Sequence, residues 1–228
     1  MTSSVHMFGG EVGGQGKSTV CAAAISVLEA KECEFAIFDA DYTKQDFYKA
    51  HIHLGCQMVR FSEAESLIDE ANPIFNTAFD SVPTVLVNLP AANIIALSQW
   101  FSINEIAVLA KEYRIRFIHW FVLDGSPTNS ALLKRSIRHF DTSVMTHVAC
   151  RNFGKTQHWE LFNEDTELQE LLAEYQASVM DFPMFHGEAQ RQIIAEKHLS
   201  LHQAASYEGF KAIPRQRVKR FIRESAAA

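Results

Sequence analysis

Residues 9–19 read GGEVGGQGKST, and the order of residue types in that stretch decides how the rest of the chain is read. Gly13, Gly14 and Gly16 let successive backbone amides turn inward around phosphate oxygens, and Gln15 lies inside the same turn. Lys17 supplies an ammonium for β- and γ-phosphates, the Ser18 hydroxyl is a ligand for Mg²⁺, and Thr19 opens a helix whose N-terminal partial charge adds to the attraction. The consensus GxxxxGK[ST] is met at its end and altered at its start. Counting back from Gly16, the first consensus glycine falls on Glu11, with Gly9 and Gly10 just before it.

Working outward, residues 5–8 are a brief apolar run, and Val20, Ala23, Ala24, Val27 and Leu28 recur at helical spacing, so the loop joins a strand to a helix. Further strands are expected at 35–38, ending at Asp39 and Asp41, briefly at 58–61, and at 85–87, stopping at Asn88 and Pro90. Three more follow at 117–123, ending at Asp124, at 144–149, ending at Arg151 and Asn152, and at 179–182, followed by Pro183. Helices are expected at 63–79, 103–112, from a Thr128 cap through 140, and at 159–175, 188–206 and 215–225. Such alternation predicts an α/β, three-layer, P-loop NTPase-like domain. A mainly parallel, twisted sheet lies between helices and a ligand sits at its carboxyl edge.

The 228 residues suit one domain, and 47% apolar with 21% charged residues is ordinary for a folded soluble chain. No apolar run reaches the roughly 18 to 20 residues of a membrane span, and the first ten residues lack a signal core, so a cytoplasmic protein is expected. The cysteines Cys21, Cys33, Cys56 and Cys150 form no CxxC pair. His51 and His53 lack an identifiable third partner for a metal. Residues 211–228 carry six Lys/Arg against one Glu, net +5, which leaves −11 of the total −6 on the preceding residues. PRQRVKRFIR at 214–223 places Val218, Phe221 and Ile222 on one face of a basic amphipathic helix. Such a helix can lie on an anionic membrane, track nucleic-acid phosphates, or pack on the acidic body.

GGEVGGQGKS, FDADYTKQDF, VLVNLPAA, WFVLDGS and VACRNFG, in this order across residues 5–155, resemble the ParA/MinD group of P-loop ATPases. Within that group they are most similar to the plasmid stabilisation and mobilisation proteins of the StbB/MobD kind. The resemblance implies ATP and Mg²⁺ as ligands, a homodimer, and a plasmid-encoded DNA-binding adaptor as partner. It implies that Asp41 positions the attacking water, that Asp39 meets Mg²⁺ through water, and that Asn152, flanked by Arg151 and Pro183, contacts the purine base.

Two departures imply slow hydrolysis. The group's signature lysine is Val12 here, and its third-motif aspartate is Asn88; Asp124, at the same sheet edge, is most simply structural but could partly replace that carboxylate. The implied role is an ATP-dependent switch in plasmid stability, positioning or conjugative transfer, with nucleoid or peripheral membrane association through the tail. The alternatives are a scaffold that has lost catalysis and, with no arginine in residues 62–110 to build a lid, less readily a small-molecule kinase.

Overall fold

The computed structural model describes residues 2–140, 142–143 and 145–228, so Val144 of the expected strand at 144–149 lies outside the described residues. The elements are β1 (Ser4–Gly9), α1 (Lys17–Ala30), β2 (Ala36–Asp39), α2 (Asp46–His51), β3 (Gln57–Met58), α3 (Asn72–Phe79), β4 (Thr84–Asn88), α4 (Ile94–Ile103) and α5 (Ile106–Tyr113). They continue with β5 (Arg116–Leu123), α6 (Pro127–His139), β6 (Thr146–Asn152), α7 (Glu160–Glu164), α8 (Thr166–Glu174), β7 (Ser178–Phe182), α9 (Glu188–Glu196), α10 (Leu201–Ser206) and α11 (Ala212–Ala227).

The seven strands form one sheet in the order β3-β2-β4-β1-β5-β6-β7, and every described pairing is parallel. The strands β2, β4 and β5 carry continuous apolar runs at 36–38, 85–87 and 120–123, as expected where helices cover both faces. Val5, Met7, Val85, Val87 and Phe117 pack with α3, α4 and α5 on one face, where Phe121, Leu123 and Ala149 meet α6, α7 and α8. Phe8, Leu86, Val122 and Cys150 pack with α1, α2, α10 and α11 on the other. The order reverses at β1, whose neighbours β4 and β5 both come later in the chain, so the phosphate loop leaves the sheet at its switch point.

Several expected helices are divided, two of them where a side chain offers a competing cap. The stretch 159–175 breaks at Asp165, whose carboxylate accepts from the Leu168 amide to start α8. The stretch 188–206 breaks before Ser200, which forms a capping box with Gln203. Ser126, not Thr128, caps α6, with Pro127 at its first position. Residues 63–79 divide into a 3₁₀ segment, Glu65–Ala71, and α3. In place of one helix at 103–112, α4 ends at Ile103 and α5 begins at Ile106, with Glu105 between them at φ 47°.

The basic tail is part of the body. Val218 and Phe221 of α11 are 0% and 2% exposed, and Phe221 stacks on Phe185 at 4.7 Å. The cations Arg217, Lys219, Arg220 and Arg223 remain on the outer side.

Candidate nucleotide site

The turn from β1 into α1 is built around Gly16, which has φ 97° and serves as the N-cap of α1. A Cβ there would lie 2.5 Å from the Asn152 Nδ2, so only glycine satisfies both the backbone angle and the approach. Asn152, at the end of β6, clamps the loop: its Nδ2 donates to the Gln15 carbonyl at 2.7 Å, and its Oδ1 accepts from the Gly154 amide at 2.9 Å. Gln15 is 1% exposed. With its amide nitrogen turned toward the carbonyls of Val12 and Val122, its side chain braces the loop from inside. Its backbone amide is what remains for a ligand.

Lys17 is buried, and its ammonium donates to the Val12 carbonyl at 2.9 Å. Burial lowers its pKa while the carboxylates of Asp41 and Glu11 push it back up. The loop therefore holds a desolvated cation bonded to one neutral oxygen, an arrangement that an anionic oxygen improves. Ser18 and Thr19 are exposed at the start of α1, Ser18 facing a cleft of about 300 Å³ that also touches Asp41 and Lys44. Thr19 also borders a cavity of about 260 Å³ with Asn152, Pro183, Phe185, Arg191 and Phe221.

At the carboxyl edge, register pairs Asp39 with Asn88. The Asn88 Nδ2 donates to Asp39 Oδ1 at 2.8 Å, and the amides of Asp41 and Tyr48 donate to the same carboxylate at 3.1 Å each. Burial pushes the Asp39 carboxyl up to about 6, against the pull of the Asn88 amide and the backbone amides and with the charge of Asp41 adding to the rise. The Asn88 Oδ1 is buried with no partner. Asp41 is half-buried, and its Oδ1 accepts from the Thr43 amide at 3.0 Å.

A magnesium ion fits these residues. Ser18 is a hydroxyl ligand, Asp39 is a buried carboxylate, and the orphaned Asn88 Oδ1 is an acceptor suited to a metal-bound water. Among the described residues no group of three or more His, Cys, Asp or Glu could hold a metal by itself, so His51 and His53 form no centre and a cation here would depend on phosphate and water.

Arg151 is placed differently from expectation, and Asp124 takes the structural of its two readings. Neighbouring residues on a strand face opposite sides of a sheet. Arg151 therefore points away from Asn152, its guanidinium bound to Asp181 at 2.6 and 2.9 Å and to Asn163 at 2.9 Å. It flanks Trp159 and Phe162, not the cavity beside Gly16. Asp124 does not stand in for the carboxylate missing at Asn88: its Oδ1 accepts from the Ser126 amide and hydroxyl and from the Asn129 amide. Burial raises its pKa, but those bonds outweigh it and hold the carboxyl below its ordinary value.

Arg191, Phe185 and Phe221 were not expected at the site. Arg191 borders both the cleft and the cavity, and its guanidinium donates to the Phe185 carbonyl. All three lie in the last third of the chain, where no local motif marks them.

No family model matches the chain. It is 24% identical over 184 residues, 80% of its length and 78% of the relative's, to the protein MobD of Acidithiobacillus ferrooxidans. Its structure is similar to the MinD cell division protein of Aquifex aeolicus, with a TM-score of 0.52, 12% identity, and coverage of 100% of this chain and 98% of that one. A ParA family ATPase from Chlorobium tepidum gives a TM-score of 0.55 at 10% identity, covering 100% and 98% of the two chains. A nucleotide-binding protein from Archaeoglobus fulgidus, in complex with ADP, gives 0.53 at 16% identity over 86% of each chain.

Proposed function

We propose, for a chain that has the ParA/MinD-type fold, that it is an ATP-binding switch acting in plasmid stability, positioning or conjugative transfer. The observation that carries the binding reading is the buried Lys17 ammonium held on the Val12 carbonyl at 2.9 Å, at the N-terminus of α1. Residues 1–228 act as one nucleotide-binding unit, with 211–228 as its basic terminal helix. The similarity to MobD and the ordered motifs support the plasmid role, and the ADP held by the archaeal neighbour's fold supports the nucleotide.

Lys17 exchanges the Val12 carbonyl for β- and γ-phosphate oxygens, and the amides of Gly13, Gly14, Gln15 and Gly16 close around the phosphates. Ser18 would ligate Mg²⁺, with Asp39 and Asn88 accepting from its water shell, and the ion when bound would neutralise phosphate charge. Asp41 orients the attacking water. The base sits in the cavity bordered by Thr19, Asn152 and Pro183, where the second hydrogen on the Asn152 amide nitrogen is a donor suited to adenine.

ATP favours a homodimer or a form that binds a DNA-binding adaptor, and hydrolysis releases it. Hydrolysis is slow because Val12 offers no cation and Asn88 no charge. If the rate is nil, the same features describe a nucleotide-dependent scaffold.

Equilibrium binding of ATP, ADP and GTP with Mg²⁺, with sedimentation and single-turnover hydrolysis on the same samples, tests this. ATP is expected to bind and to shift the assembly state; a chain that binds no nucleotide would sink the proposal. Asn88→Asp separates a slow ATPase from a scaffold. Two adjacent carboxylates repel without metal and are expected to cost roughly 1–3 kcal/mol of stability, recovered with Mg²⁺. In a slow ATPase the variant raises turnover; in a scaffold it does not.

A further inference from the structure

Between the sheet and the helices α1 and α11 lies a cavity of about 490 Å³. Protein interiors leave few voids larger than a water molecule, and a space of this size is that of a small-molecule site. Phe8, Trp120 and Met180 line it from β1, β5 and β7, Ala23, Ala24 and Val27 line it from α1, and the last turn of α11 completes the lining. The two alanines leave unfilled a space that larger side chains would occupy. Trp120, Met180 and Ala24 stay only half-buried although helices cover this face, so water reaches the cavity. The indole and imidazole nitrogens on its wall are already engaged. Trp120 Nε1 donates to His6 Nδ1 at 3.0 Å, which leaves the imidazole proton on Nε2, 3.0 Å from the Ser4 hydroxyl. Trp120 also stacks with His6 and Phe8, with ring centroids 6.0 and 5.6 Å apart. Charge enters at one end. Register pairs Ser4 both with Thr84, which lines the cavity, and with Arg116. Paired residues of neighbouring strands face the same side, so the exposed Arg116 stands on the cavity's face of the sheet, at its amino edge.

We propose that this cavity is a second ligand site, independent of the nucleotide reading, and that it takes a fatty carboxylate of medium chain length. The alkyl chain lies between the ring-lined sheet and α1, and the carboxylate meets Arg116 at the rim. An apolar cavity holds water poorly, so an apolar chain enters without displacing well-bonded water, and it restores the dispersion contacts that the lining atoms lack. The guanidinium gives the head a charge-assisted hydrogen bond, and its place at the sheet edge leaves the carboxylate hydrated. A polar ligand is disfavoured inside, because the nitrogens of the wall have no hydrogen bond to spare for it.

The test uses the full chain, without nucleotide, and ω-bromodecanoate as the probe. Bromine quenches an indole that it touches, and the other tryptophans, Trp100 and Trp159, belong to the clusters on the opposite face of the sheet. Fluorescence is expected to fall saturably below the probe's micelle concentration, and to stay constant in Trp120→Phe, which keeps an apolar ring. Ala24→Leu fills the space and is expected to weaken the probe roughly tenfold or more, with the urea midpoint kept or raised. Arg116→Gln is expected to weaken ω-bromodecanoate about tenfold and to leave the uncharged ω-bromodecanol binding as in the wild type. Quenching that is absent, that persists in Trp120→Phe, or that a stable Ala24→Leu leaves unchanged overturns the proposal. An Arg116→Gln variant that treats acid and alcohol alike also overturns it, and because that position is exposed, this comparison decides even if Ala24→Leu loses stability.

Discussion

Lys17→Ala is expected to weaken triphosphate binding by about a hundredfold or more while leaving the fold nearly as stable as before. Charge-assisted hydrogen bonds to phosphate are each worth about 1.5–3 kcal/mol, and Lys17 is placed to make more than one. On the stability side the ammonium contributes little: it is buried, desolvated and bonded to a single neutral carbonyl. Its removal deprives Glu11 and Asp41 of a neighbouring cation, a loss expected to stay within about 1 kcal/mol because both carboxylates are partly hydrated. Titration with a fluorescent ATP analogue, alongside urea unfolding of the same preparations, reads both quantities. A variant that binds ATP as the wild type does would move the nucleotide away from residues 9–19 altogether.

The second large effect is acid unfolding. Burial pushes His6, His51 and His147 down to about 4 and His119 down to about 3, with Arg116 adding to the effect on His6 and His147 to that on His119. In the unfolded chain these rings protonate near 6.5. Between that value and the folded pKa values the unfolded chain binds more protons, so stability falls as pH drops through this window. Each ring accounts for roughly 3 kcal/mol.

Asp39 works in the opposite direction. Its carboxyl titrates near 6 in the fold, so it gains protons before the unfolded chain does and returns roughly 3 kcal/mol as pH falls. The net loss is on the order of 10 kcal/mol, comparable to the whole stability of a domain. The urea midpoint is therefore expected to fall steeply from pH 6.5 and the cooperative transition to disappear between about pH 5 and 4. A midpoint unchanged from pH 7 to pH 5 would show that these rings are hydrated. Nucleotide binding should then be measured above pH 7, where neither process interferes.

The fold was legible because its decisive features are local. A short apolar run, a glycine turn, Lys-Ser and an apolar helical stripe occupy about two dozen consecutive residues, and the strand-helix alternation repeats that grammar. Helix boundaries were less legible, since Asp165, Ser126 and Ser200 each cap by competing with an equally plausible continuation of the helix. Arg151 shows a different limit. Its adjacency to Asn152 in sequence suggested one pocket, whereas the two-residue repeat of a strand sends the pair to opposite faces.

The sequence by itself determined the phosphate loop and the parallel α/β architecture, because these depend on residue type and spacing along a few turns of chain, whereas the exchange of charged residues for Val12 and Asn88 is implied only by the resemblance. Only the tertiary structure decided that Asn152 clamps Gln15, that Asp39 and Asn88 share a hydrogen bond, and that the basic tail forms a wall beside the site. Those contacts join positions 49 to 137 residues apart, or depend on where two loops leave neighbouring strands. Their geometry follows from how the sheet brings β2, β4 and β6 to one edge, which no stretch of the chain encodes alone.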